Sequence, residues 1–122
     1  MSQRARAGLA ALALLLQCVV LYAPRAPQVG TGGLPMDKLV HIAAFALPTV
    51  ALVAAGAPRG MVIALMAGNA LFSELVQDRL LAERSGDVAD VVADLVGVAI
   101  GAYLTRGGRL VPATSTRRSR WP

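Results

Sequence analysis

Charge is scarce in this chain. Only 16% of its 122 residues are Asp, Glu, Lys or Arg, while 56% belong to the AVILMFWYC class. A soluble domain of this size needs polar side chains over a large surface, so the shortage argues against a soluble fold. A second cysteine is also missing. Cys18 stands alone, which excludes an intramolecular disulfide, and its plain reading is a small apolar helix residue. No serine or cysteine stands in a recognisable nucleophile context. No stretch alternates apolar and polar residues as a half-buried strand would, and there is no internal repeat. Despite the net charge of +5, no nucleic-acid motif or folded basic surface points to a nucleic-acid partner.

Four apolar runs remain. They are Ala7 to Ala23, Leu39 to Gly56, Met61 to Val76 and Val88 to Leu104. As helices, runs of roughly 16 to 18 residues measure about 24–27 Å, the short end of what spans a ~30 Å hydrocarbon core. A bilayer admits no open strands, so helices follow. The expected fold is an all-α integral membrane bundle of four short transmembrane helices, filling residues 7–104. Residues 1–6 form a short cytoplasmic N-terminus, and 105–122 form a basic, disordered cytoplasmic tail.

The breaks support this division. Ala23 to Asp37 contains Pro24, Pro27 and Pro35 and reads as a loop, while Gly56-Ala57-Pro58-Arg59-Gly60 reads as a tight turn making runs two and three antiparallel neighbours. Gln77 to Asp87 is the most polar interior stretch. Arg4 and Arg6 before the first run also resemble a secretory signal, but Tyr22-Ala23-Pro24 is a poor cleavage context. Leu15-Leu16-Gln17-Cys18 fails as a lipoprotein box because Gln17 occupies the position of a small residue.

Orientation follows from Lys and Arg. With the N-terminus inside, Arg4, Arg6, Arg59, Arg106, Arg109, Arg117, Arg118 and Arg120 are cytoplasmic, and Arg25, Lys38, Arg79 and Arg84 are external. This asymmetry predicts both termini inside. The acids Asp37, Glu74, Asp78, Glu83, Asp87, Asp90 and Asp94 then all belong to the outer half. The basic tail is placed to lie on anionic inner-leaflet headgroups.

The outer half carries the candidate chemistry. Asp37 and His41 are one helical turn apart and share a face, with Lys38 beside them. Glu74 and Gln77 share a face near the end of the third run, and the same stripe continues back through the small residues Ala70 and Ala67. On the fourth run, Asp87, Asp90, Asp94, Gly97 and Gly101 fall within one sector about 80° wide at ~100° per residue. That stripe is expected to face the bundle, because glycines admit a close neighbour and a lipid-facing carboxylate costs at least ~2.5–3.5 kcal/mol. Val98, about 100° away, is expected to face lipid. Asn69 is expected to hydrogen-bond between helices, Pro48 to kink the second helix, and Arg79 and Glu83 to form a solvated loop pair.

Asp37-Lys38-x-x-His41, then Glu74-x-x-Gln77, then Arg84-Ser85-x-Asp87-x-x-Asp90-x-x-x-Asp94-x-x-Gly97-x-x-x-Gly101 together resemble the VanZ-like family of small bacterial membrane proteins. The resemblance covers Asp37 to Leu104. Many family members carry Asn at the position of Asp94, a departure in charge. The resemblance implies the bacterial cytoplasmic membrane and a cell-envelope role, since the family's namesake is linked to teicoplanin resistance; it implies no mechanism.

Two function classes follow for the expected outer-face set Asp37, Lys38, His41, Glu74, Gln77, Arg84, Asp87, Asp90 and Asp94. In the favoured class the chain binds or modulates an envelope lipid or glycopeptide, with Lys38 and Arg84 pairing with phosphate and the carboxylates taking sugar hydroxyls or a divalent cation. In the second it is a membrane enzyme: Asp37 orients His41 as general acid or base, and Asp87, Asp90 and Asp94 hold Mg²⁺, Mn²⁺ or Ca²⁺. Such oxygen ligands argue against a thiolate zinc site. A bland alternative is that these groups only pair with one another to set helix register, as in a structural subunit of a larger assembly. No resident cofactor is otherwise implied.

Overall fold

The computed structural model describes residues 1–23, 36–81 and 88–107. They form four helices: α1 (Gln3–Tyr22), α2 (Met36–Ala54), α3 (Arg59–Leu80) and α4 (Val88–Leu104). No strand occurs among the described residues. Residues 24–35 of the expected Ala23–Asp37 loop, the segment 82–87 with Glu83, Arg84 and Asp87, and the tail from 108 onward lie outside them.

Helices α1, α2 and α3 outrun their apolar stretches, whereas α4 coincides with its own. Helix α1 begins four residues before Ala7 because Ser2 caps it, its Oγ accepting from the Ala5 N–H at 3.2 Å. Helix α2 starts at Met36, which places Asp37 and Lys38 in its first turn. Helix α3 continues through the polar Gln77-Asp78-Arg79 to Leu80. Apolar run length reports the stretch that avoids water, whereas backbone hydrogen bonding carries on into polar residues of good helix propensity.

The α2–α3 turn is built around Gly56, whose φ of +103° suits glycine. Its N–H donates to Val53 O at 3.0 Å, and the Ala57 N–H donates to Leu52 O at 3.0 Å, so two terminal carbonyls of α2 are satisfied in a Schellman arrangement. Pro48 sits inside α2 without ending it, and the Thr49 hydroxyl bonds back to Phe45 O at 2.7 Å.

The helices alternate in direction. At one end, Gln3 Nε2 donates to Ala55 O at 2.6 Å, and the Arg59 guanidinium donates to Ala102 O at 3.0 and 3.3 Å. At the other, Gln77 Nε2 donates to Leu21 O at 2.8 Å and Lys38 meets Asp90. Helices α2 and α4 therefore run parallel and form the most extensive interface, while α1 lies against α2 and α3. The antiparallel pair α2–α3 is in contact, but less extensively than α2 is with α4 or α1.

The pattern of burial is inverted. Gln17, His41, Thr49, Ser73, Gln77, Asp90 and Asp94 are buried, while leucines such as Leu12, Leu15, Leu47, Leu65 and Leu71 are more than half exposed. Cys18 is exposed. Three helices, α1, α2 and α3, are long and apolar enough to cross a membrane; α4 has 17 residues. Apolar packing is confined to a small core including Leu21, Phe45, Val62, Met66 and Val98. Val98 thus corrects the expectation that it faces lipid, being only 4% exposed. Helix α4 packs against both α2 and α3, so its buried sector is wider than the stripe of Asp and Gly alone.

Candidate functional site

The close α2–α4 interface begins with glycine. A Cβ on Gly97 would run into the backbone carbonyl oxygen of Ile42 and lie 3.0 Å from the Phe45 Cβ. A Cβ on Gly101 would lie 2.7 Å from the Thr49 Cβ. Both glycines thus let α4 approach α2 more closely than any side chain would allow. The same register continues toward the far end of α4, where the pairing turns from packing to charge.

There His41 and Asp94 meet in the interface, Nδ1 to Oδ1 at 2.8 Å, with side chains 3% and 1% exposed. With Asp94 ionised the carboxylate only accepts, and the imidazole Nδ1–H is then the donor. The ring's other nitrogen, Nε2, faces Asp90 Oδ1 at 3.9 Å, beyond hydrogen-bond reach. One helical turn nearer the helix start, the Lys38 ammonium bonds Asp90 Oδ1 and Asp37 Oδ2, the latter at 3.2 Å. One ligand atom each from Asp37, His41 and Asp90 lie within 4.8 Å of one another. The second oxygen of Asp94, Oδ2, is buried with no hydrogen-bond partner among the described residues.

Five of the expected site residues are therefore brought together: Asp37, Lys38, His41, Asp90 and Asp94. The partner that orients His41 is Asp94 rather than Asp37, because parallel packing of α2 and α4 puts Asp94 level with the ring while Asp37, 59% exposed at its side chain, lies toward the rim. Of the expected oxygen cluster Asp87, Asp90 and Asp94, Asp94 turns Oδ1 to the imidazole and Asp90 turns Oδ1 to the Lys38 ammonium. Asp87 and Arg84 lie outside the described residues.

On α3, Gln77 is buried and turned toward α1. Glu74 is half-buried, with both carboxylate oxygens shielded from solvent. Ala70, one turn before it, is fully buried, as the small-residue stripe anticipates. Asn69 bonds between helices, its Oδ1 accepting from the Tyr22 hydroxyl at 3.2 Å. Arg79 pairs with its neighbour Asp78 at 3.2 Å on the surface. Thr49 was not singled out by sequence. Its signal is its place two turns after His41, on the face that receives Gly101.

The bundle ends differ sharply in charge. Among the described residues, the end formed by the start of α1, the α2–α3 turn and the end of α4 carries Arg4, Arg6, Arg59 and Arg106 and no acid. Among the described residues the opposite end carries Asp37, Glu74, Asp78, Asp90 and Asp94, against Lys38, Arg79 and the His41 imidazole.

Chemically, the arrangement does two things. A carboxylate behind an imidazole sets its tautomer and raises the basicity of the other ring nitrogen. Three carboxylates against one ammonium leave a negative excess that favours cations, ammonium groups and hydroxyl donors over anions. No family model matches the chain, and no curated protein or solved structure matches it either.

Proposed function

We propose that this chain is a VanZ-like integral protein of the bacterial cytoplasmic membrane, with four transmembrane helices and both termini inside. In this reading the α2–α4 cluster faces outward and binds or modulates an envelope molecule. The observation that carries it is the burial of a charged cluster at one end of a bundle whose flanks are leucine-rich. The end-to-end charge asymmetry supports the orientation, because basic residues favour the cytoplasmic side. At about 26 Å, α4 is short for a ~30 Å core and spans with little tilt or with local thinning. Its acids turn to α2, which spares lipid their charge.

The ligand is a sugar-bearing envelope lipid or glycopeptide, bound through hydroxyl or amino groups. Lys38 is already engaged by two carboxylates, so the cluster is better suited to donors than to a phosphate. A teicoplanin-resistance-like role fits such a ligand. The second reading, a membrane enzyme, draws on one specific feature: the His41–Asp94 pair leaves Nε2 poised as a base.

Topology reporters fused after Pro35 and Thr105 test the orientation. The expected result is an external signal at Pro35 and a cytoplasmic one at Thr105; an external Thr105 signal overturns the outer-face reading. Mass spectrometry of molecules copurifying with the wild type, and lost with Asp90→Ala, tests the ligand. Equal recovery from both proteins removes the cluster from binding.

A further inference from the structure

We propose that Asp37, His41 and Asp90 form a site for one transition-metal dication of the Zn²⁺ class, with the Lys38 ammonium as its built-in competitor. Ligand atoms of the three residues lie within 4.8 Å of one another. Ligands around a tetrahedral ion at about 2.0–2.2 Å lie roughly 3.5 Å apart, so small side-chain rotations close the site.

His41 makes this more than a group of acids. Its side chain is 3% exposed, and its Nδ1 is taken by Asp94. That leaves Nε2 as the free-electron-pair nitrogen, directed at Asp90 Oδ1 and hydrogen-bonded to none of the described residues. A carboxylate behind a metal-binding imidazole is the usual second layer of such sites. The buried Oδ2 of Asp94 has no hydrogen-bond partner among the described residues, so this carboxylate is not fully satisfied by His41 alone. Formal charge gives the same answer. Asp37, Asp90 and Asp94 contribute −3 and Lys38 +1, and a dication cancels the remaining −2 with His41 neutral.

The ligand set selects the ion. One imidazole nitrogen with two carboxylate oxygens suits Zn²⁺, while Ca²⁺ and Mg²⁺ prefer all-oxygen shells and retained water. Three protein ligands leave a fourth position for water or an oxygen of a bound molecule. Lys38 bridges Asp37 and Asp90, so the ion must displace its ammonium. Its side chain is 30% exposed and carries a long stem, which provides a path outward. The site is independent of which way the chain crosses the membrane.

Isothermal titration of the tag-free full chain in detergent with ZnCl₂, and with MgCl₂ for contrast, tests it. Saturable 1:1 Zn²⁺ binding is expected in the wild type, with Mg²⁺ at least roughly tenfold weaker, and Lys38→Met is expected to tighten Zn²⁺ about tenfold or more. Within Lys38→Met, His41→Gln and Asp37→Asn are each expected to weaken binding at least about tenfold, and Asp94→Asn by about 10–100-fold. Asp37 is exposed, so Asp37→Asn keeps the test valid should His41→Gln fail to fold. No saturable Zn²⁺ binding in either the wild type or Lys38→Met overturns the proposal. So does 1:1 binding that Asp37→Asn leaves unchanged.

Discussion

His41 on α2 and Asp94 on α4 stand 2.8 Å apart across the interface of two parallel helices, both almost wholly shielded from solvent. The pair lies 53 residues apart in the chain, and Lys38 meets Asp90 at 52. Extending the same register by successive turns sets Gly97 against Phe45 and Gly101 against Thr49. Charge pairing and close packing therefore belong to one interface, and a change in either is felt along its length.

Breaking the buried pair from one side leaves its partner uncompensated. Asp94→Ala is expected to destabilise by about 3–5 kcal/mol, and His41→Ala by a similar amount. Asp94→Asn keeps an acceptor oxygen for the Nδ1–H and nearly the same shape, so it is expected to be the mildest of the three. A double-mutant cycle on His41 and Asp94, read by unfolding in detergent, is expected to give coupling of at least ~0.5 kcal/mol. Strict additivity would mean that the two side chains do not act as a pair.

The glycines make a separate test of the interface. Gly97→Ala and Gly101→Ala are each expected to cost about 1–3 kcal/mol by overpacking, whereas Ala99→Leu, on the exposed face, costs little. The two glycines differ in how they can be rescued. The Gly101 obstruction includes the side chain of Thr49, so Thr49→Gly is expected to relieve part of it. The Gly97 obstruction includes the Ile42 backbone carbonyl, which no substitution removes. Thermal stability of the single and double variants decides between these outcomes, and equal tolerance at 97, 99 and 101 would place the stripe elsewhere.

Gln77 and Gln17 look alike by burial and differ by partner. Gln77 donates to a backbone carbonyl of α1 at 2.8 Å, while the Gln17 amide among the described residues donates to the thioether of Met66 at 3.9 Å, a weak acceptor. Gln77→Leu is expected to lose about 0.5–1.5 kcal/mol and to loosen α1. Gln17→Leu is expected to be neutral or slightly stabilising. Melting temperatures in one detergent compare them directly, and a larger loss at Gln17 would reverse the assignment.

Much of the architecture was legible in the residues. Scarce charge and apolar runs gave the helical class, and a 4-3-4 spacing placed Asp90, Asp94, Gly97 and Gly101 on one buried face. Asp37 and His41 shared a face by the same reasoning. The spacing did not foresee that Val98 would be buried, because a helix's own periodicity does not count the neighbours it touches. The apolar runs located both ends of α4 but fell short at the start of α1 and the end of α3, where Ser2 and polar residues extend the hydrogen-bonded backbone.

Sequence alone determined that the chain is helical, where the helices fall to within a turn, and that acids and glycines share a stripe on α4. These follow from local rules of periodicity, propensity and composition, which act over one helix at a time. Only the tertiary structure decided that α4 packs parallel to α2, and so that Asp94, not Asp37, holds His41. That choice depends on which two backbones can approach most closely, here at Gly97 and Gly101 against Ile42 and Thr49. Such complementarity is a property of two surfaces together and is written in neither helix by itself.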